Sequence, residues 1–286
     1  MNTPMRNFAL SVISIIGVVG FVAVLFAEDT TPVQSSLRIL VANDDGIDSP
    51  GLHALALALS EIGEVVVSAP EENCSGASQS SKIFSGTHRA HLVEVKGAVK
   101  AWAIEGTPSD AVTWGLLHEG KEKPFDFVVS GINAGANVGE IAHYSGTIGA
   151  AMEGAAWGIP SIAVSQTRQD SFEVSCAMAV KLVQRLVEDG ATPQTVWAIE
   201  VPRLAADAVP EVVFAPMAGR YMEVGSFQVK KNEDGGFVFR PQLTFPREHV
   251  AGGATHEFQL GKVVITPLRY NWTDEDELQR MRGWDW

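Results

Sequence analysis

Leu37-Arg38-Ile39-Leu40-Val41-Ala42-Asn43-Asp44-Asp45-Gly46 is the stretch on which the reading of this chain turns. A short apolar run ends in two adjacent carboxylates and a glycine. Such a run, bounded by turn residues, predicts a buried strand. Asn, Asp and Gly are also common turn residues, so the tetrapeptide alone is consistent with a solvated turn. Its position argues for more. In an open parallel sheet, ligands bind outside the carboxyl ends of the strands. Two like charges at a buried strand end repel each other and lose water, so both favour a cation. A hard divalent ion with oxygen ligands suits that pair.

Downstream, Ser49-Pro50 opens a helix on which Leu52, Leu55, Leu59 and Ile62 recur at helical spacing. Residues 64–69 (EVVVSA) predict a second buried strand, and 71–81 a polar loop rich in Ser and Gly. A strand over 99–104 leads through Gly106-Thr107-Pro108-Ser109-Asp110 to a helix over 111–118. A fourth strand, 125–130, ends in Gly131-Ile132-Asn133-Ala134-Gly135. Tyr144-Ser145-Gly146-Thr147 precedes an Ala-rich helix over 148–157. A fifth strand over 161–165 and a long helix over 172–188 follow. This alternation predicts an α/β fold, a mostly parallel doubly wound sheet with helices on both faces. From Val213 the pattern changes to short β runs with Gly-rich turns, which predicts a C-terminal β-rich extension. Residues 262–267 (KVVITP) return to the sheet, and 274–286 form an acidic tail.

Residues 1–27 predict an export leader and 28–36 a linker, leaving the fold to 37–286. Arg6 precedes an uncharged apolar run over 8–27, and Glu28 and Asp29 follow at once. This is the order of a secretory leader. The run is also long enough to span a bilayer. Leu25 spoils the small-x-small cleavage signal, so a cleaved signal peptide and an uncleaved membrane anchor both stay open. Either exports the remainder to a periplasmic or membrane-attached location. Without a functional leader the chain is cytoplasmic.

The 286 residues carry a net charge of −13 and are 46% hydrophobic, which fits one globular α/β unit. That charge argues against nucleic acid as a partner. It also means that an anionic substrate needs a local cation. Cys74 and Cys176 form no metal-spaced cluster and are read as free thiols. No Gly-x-Ser-x-Gly elbow, P-loop or dinucleotide fingerprint is present.

In a parallel sheet the strand ends converge. That gathers Asn43, Asp44 and Asp45, the Ser75-Gly76-Ala77-Ser78 loop, Asn133, Asn137, and Ser145-Gly146-Thr147 on one edge. The set is oxygen-rich and suits Mg²⁺, Mn²⁺ or Ca²⁺ rather than zinc. Ser145, Gly146 and Thr147 at a helix N-terminus offer N–H groups and hydroxyls to a phosphate, or form an ordinary cap. His143 is close in sequence to this segment and is a candidate for proton transfer. His53 reads as a surface or packing residue.

Six motifs in order carry a family resemblance: 39–51 (ILVANDDGIDSPG), 68–78 (SAPEENCSGAS), 106–110 (GTPSD), 130–139 (SGINAGANVG), 144–154 (YSGTIGAAMEG) and 265–268 (ITPL). From residue 37 to about 268 the chain closely resembles the SurE family of survival-protein nucleotidases and phosphatases. The resemblance implies a Rossmann-like core with an extension that exchanges elements between protomers, hence a homodimer or homotetramer. It implies a phosphomonoesterase dependent on one Mg²⁺ or Mn²⁺ per subunit, acting mainly on nucleoside 5′- or 3′-monophosphates. Asp44 and Asp45 are then the catalytic pair and, with Ser75 and Asn133, the metal ligands. Asn43, Asn137, Ser145, Gly146 and Thr147 are left for substrate phosphate. Three departures stand out: Cys74 where the family carries a basic residue, Glu200 where it carries asparagine, and the absence of a Thr-Asp start in 254–260. A broad-specificity exported acid phosphatase or polyphosphatase, and a non-catalytic nucleotide-binding protein, remain the alternatives.

Overall fold

The computed structural model describes residues 37–286, apart from 170, 206–208, 248–249 and 286. The leader over 1–27 and the linker over 28–36 lie outside the described residues. Among those described, no helix is long and apolar enough to cross a membrane.

β1 (Leu37–Ala42) forms where expected and is followed by α1 (Pro50–Leu59). The Ser49 hydroxyl caps α1 by accepting from Leu52 N–H, and Pro50 occupies its first turn. β2 (Gly63–Pro70), β3 (Ala90–Val93) and β4 (Ala98–Ile104) come next. α2 (Pro108–Trp114) starts with a reciprocal capping box between Thr107 and Asp110. The chain then runs through β5 (Phe127–Asn133), α3 (Gly146–Ala156), β6 (Ser161–Gln166), α4 (Glu173–Asp189) and β7 (Thr195–Val201). β8 (Val212–Phe214), the hairpin of β9 (Glu223–Lys231) and β10 (Phe237–Thr244), and α5 (Ala254–Gln259) follow. β11 (Val263–Arg269) and α6 (Glu275–Met281) complete the described chain.

One sheet has the order β3-β4-β2-β1-β5-β6-β7-β11-β8. It is parallel except where β3 meets β4 and β11 meets β7. The expected parallel core is therefore present, with antiparallel pairings toward both ends. Alternation along β1 divides the core. Ile39 and Val41 pack with Leu52, Leu55 and Leu59 of α1 and with Met178 and Val183 of α4. Leu40 and Ala42 point the other way, onto Val112 of α2 and Ala150 of α3. Helices thus cover both faces, and the carboxyl ends of β1, β5, β6 and β7 share one edge.

The extension is the β9–β10 hairpin, whose side chains are almost all exposed. Two strands were not expected, the short edge strand β3 and β7. The acidic tail carries α6, whose Asp274 side chain caps Glu277 N–H.

Candidate active site

Asp44 and Asp45 follow β1, and each is held differently. Asp44 is only 3% exposed. Its Oδ1 accepts a 2.6 Å hydrogen bond from the Thr147 hydroxyl in the first turn of α3. The Thr147 N–H also favours the ionised carboxylate. Asp44 therefore sits against a helix N-terminus, where N–H groups and the helix dipole favour negative charge. Burial still raises its pKa; Thr147 opposes that shift and the Asp45 charge adds to it. Gly146 is what lets the helix come so close. A Cβ there would lie 2.7 Å from Asp44 Cβ and 2.9 Å from its Oδ2.

Asp45 spans two loops. Its Oδ1 accepts from Asn73 Nδ2 at 3.2 Å, and its Oδ2 accepts from the Ala134 N–H at 3.1 Å. Asn73 Oδ1 in turn accepts the Ser75 N–H at 2.9 Å. The Ser75 loop is further secured by the Cys74 N–H, which donates to Asp44 O at 2.7 Å. Asn133 ends β5, and its amide nitrogen donates to Gly135 O at 2.7 Å, which fixes the side chain. Gly131, with φ of 137°, lets the end of β5 pass Val164, whose carbonyl oxygen would stand 2.4 Å from an added Cβ. Asp44, Asp45, Ser75 and Asn133 are thus brought to one edge by segments that bond to one another.

The five residues assigned to phosphate are each engaged within the protein. Asn43 is fully buried and donates to Gly46 O at 2.8 Å, closing the turn after β1. Thr147 is fully buried on Asp44. The Ser145 hydroxyl accepts from Ile148 N–H at 3.1 Å and so caps α3, and Gly146 faces Asp44. Asn137 donates from its side chain to Ser165 Oγ at 2.9 Å and from its backbone to Glu200 Oε2 at 2.8 Å. Asn43, Ser145 and Thr147 are buried, Asn137 is half-buried, and Gly146 makes room for Asp44. His143 is turned toward Trp272, ring to ring at 6.4 Å, while its carbonyl oxygen accepts from Ser78 Oγ. His53 bonds Ile47 O at 3.0 Å and is structural.

Two further residues matter here. Asn73 links Asp45 to the Ser75 loop, and its only sequence signal is its place beside Cys74-Ser75. Glu200 is 2% exposed beneath Asn137. Burial pushes its pKa up to about 8, against the opposing Asn137 N–H and Ser165 hydroxyl. Its Oε1 has no partner among the described residues.

The donor set fits a hard divalent cation. Two carboxylates, a hydroxyl and an amide are all oxygen donors. Burial first, and the Asp45 charge after it, raise the Asp44 pKa, and a cation at the pair would offset both. Among the described residues no group of three or more His, Cys, Asp or Glu side chains is gathered around a metal position, which argues against a thiolate–imidazole centre.

An α/β protein with a mostly parallel sheet and a paired-carboxylate, oxygen-rich site on its carboxyl edge is the class defined by these features. The family model described as "Survival protein SurE" matches residues 39–224. A protein of Rhodopirellula baltica named 5′-nucleotidase SurE is 35% identical over 257 residues, covering 87% of this chain and 99% of its own. One of Chloroflexus aggregans with the same name is 35% identical over 255 residues, covering 87% of this chain and all of its own (100%). The crystal structure of the SurE protein from Aquifex aeolicus superposes with a TM-score of 0.74 at 30% identity, covering 86% of this chain and 98% of that one. The chain belongs to the SurE family.

Proposed function

We propose that this chain is a divalent-metal phosphomonoesterase that hydrolyses nucleoside 5′-monophosphates to nucleoside and phosphate, with the 3′-isomers as the substrates to compare. The observation that carries the reading is the Asp44–Asp45 pair, held rigidly by Thr147, Asn73 and Ala134 at the sheet edge. A protein that only bound nucleotides would gain nothing from placing two like charges there. Relatives named 5′-nucleotidase SurE, matched over nearly their whole length, support the substrate class.

Asp44, Asp45, Ser75 and Asn133 would hold one Mg²⁺ or Mn²⁺ per subunit. The chemistry expected of such an ion is Lewis acidity toward a phosphoryl oxygen and a more nucleophilic water near neutral pH. The protein's own part is orientation. Thr147 and the α3 N-terminus fix Asp44 and favour its ionised form against burial, and Asn73 couples Asp45 to the loop that carries Ser75. The experiment is turnover of AMP, GMP, ribose 5-phosphate and polyphosphate with Mg²⁺, with Mn²⁺ and with chelator, for wild type and Asp45→Asn. Metal-dependent turnover of the nucleotides, lost by orders of magnitude in Asp45→Asn with melting unchanged or raised, is the expected result. Near-normal Asp45→Asn activity at saturating Mn²⁺ removes the site assignment, and equal rates on all esters favour a broad phosphatase.

We also propose that the exposed hairpin joins copies of the chain into a dimer or tetramer, and that residues 1–27 export it. A fusion of residues 1–40 to a reporter active only outside the cytoplasm tests the export. A silent reporter ends that proposal.

A further inference from the structure

A second cleft, of about 570 Å³, opens at the ends of β6 and β7, on the same sheet edge as Asp44. Thr167, Arg203, Tyr221, Phe245, Arg247 and Phe258 line it. Tyr221 meets Phe245 and Phe258 edge-on, with centroids 5.8 and 5.5 Å apart. Arg203 donates one hydrogen bond, to Arg168 O at 2.7 Å. Neither Arg203 nor Arg247 has a carboxylate partner among the described residues, although the chain carries a net charge of −13. Two exposed guanidinium groups beside aromatic rings form a surface for a planar group rich in hydrogen-bond acceptors.

The cleft shares the carboxyl edge of the sheet with the metal-type site, since Thr167 follows β6 and Arg203 follows β7. Tyr221 and Ala136 both pack against one buried cluster that includes Val138, in the loop between Asn133 and α3, and Phe258. That loop also pairs with Arg220 through Gly139. β1, β5, β6 and β7 are consecutive in the sheet. At about 4.8 Å per strand, the cleft lies on the order of 10 Å from the Asp44–Asn133 pair. A nucleoside monophosphate with its phosphate at the carboxylates has the length to place its base there.

We infer that the Arg203–Arg247 cleft is a nucleobase subsite that prefers guanine to adenine. The inference rests on the nucleotidase reading only for where the phosphate lies. Guanine presents two acceptors, O6 and N7, to an arginine fork, whereas adenine replaces O6 with a donor amine that a guanidinium cannot satisfy. Tyr221 and Phe245 supply the apolar walls, with Phe245 58% exposed and free to cover a base.

Calorimetry of the full chain with guanosine and with adenosine tests this, because neither probe carries phosphate. Wild type is expected to bind guanosine more tightly than adenosine. The Arg203→Gln/Arg247→Gln double variant is expected to lose at least tenfold in guanosine affinity, along with the preference. Both arginines are exposed, so melting reports whether the variant is folded. A second variant, Phe245→Ala, is expected to weaken both nucleosides together. No guanosine binding, tighter adenosine binding, or equal guanosine affinity in the double variant overturns the subsite. A double variant that changes oligomeric state but not guanosine affinity assigns the cleft to a second copy of the chain and overturns it as well. Failure of the nucleotidase reading is a separate result, in which wild type turns over neither GMP nor ribose 5-phosphate whatever nucleoside binding shows.

Discussion

Thr147 makes the site's most consequential single contact, a buried hydroxyl on a buried carboxylate 103 residues away in sequence. Groups that orient metal-binding residues typically cost 10–100-fold in affinity or activity when removed. Thr147→Val should therefore lower kcat/KM for a nucleoside monophosphate by roughly that factor, and Thr147→Ser should restore most of it. Equal activity in the Val and wild-type proteins would show that the hydroxyl does not matter. Glu200 gives a prediction about stability. The folded protein keeps its proton up to about pH 8, whereas the unfolded chain releases it near the ordinary 4.5. Between those values the folded state binds more protons than the unfolded one. Stability from this group is therefore fully present below about pH 4.5, falls as pH rises through the window, and levels off above about 8. Glu200→Gln keeps an acceptor for the Asn137 N–H without that loss. Its melting temperature should gain on wild type from pH 5 to pH 8.5, by the equivalent of a few kcal/mol. A difference that does not change with pH would place the shift elsewhere.

At the level of elements, the approach of α3 to β1 organises the site. Gly146 has close-packing reasons apart from any ligand. Even an alanine methyl would stand 2.7 Å from Asp44 Cβ, so the first turn of α3 or the Asp44 loop must move. Gly146→Ala should lower melting, weaken metal binding and reduce kcat together, as measured by calorimetry with Mn²⁺ and by initial rates. A change in KM alone, with metal affinity intact, would instead mean that the glycine makes room for phosphate. The helix start at Ser49-Pro50 was legible, because cap chemistry is local, whereas α2 begins at Pro108, three residues before the expected 111, because Thr107 and Asp110 form its capping box. β3 was not, because it is a four-residue edge strand, AHLV, with little apolar pattern. β7 was obscured by Glu200, a buried acid in an otherwise apolar strand.

Over the whole molecule, the β9–β10 hairpin stands out. Phe227, Val229, Phe237 and Phe239 are each more than half exposed, at 54%, 61%, 63% and 63%. A two-stranded hairpin has marginal stability alone, and this exposed apolar surface is what the proposed contact between copies would cover. Replacing residues 223–244 with a short Gly-Ser link should leave the core folded and yield a monomer by light scattering. An unchanged assembly would place the contact elsewhere.

The order of strands and helices, the parallel core and the oxygen-rich carboxyl edge were determined by the sequence alone. Strand length, alternation and caps are local properties, and the position of Asp44-Asp45 after an apolar run follows from them. What each polar residue does there was decided by tertiary structure. Asn43, Ser145 and Thr147 look like ligand contacts when read along the chain. Folding also gives each an internal partner: Thr147 bonds Asp44, Ser145 caps its own helix and Asn43 closes a turn. The Arg203–Tyr221–Arg247 cleft likewise exists only because the ends of β6 and β7, the segments flanking the hairpin, and α5 come together. A hydrogen-bond partner far along the chain leaves no periodicity or spacing to read. It is set by which backbones the fold brings within about 3 Å of one another.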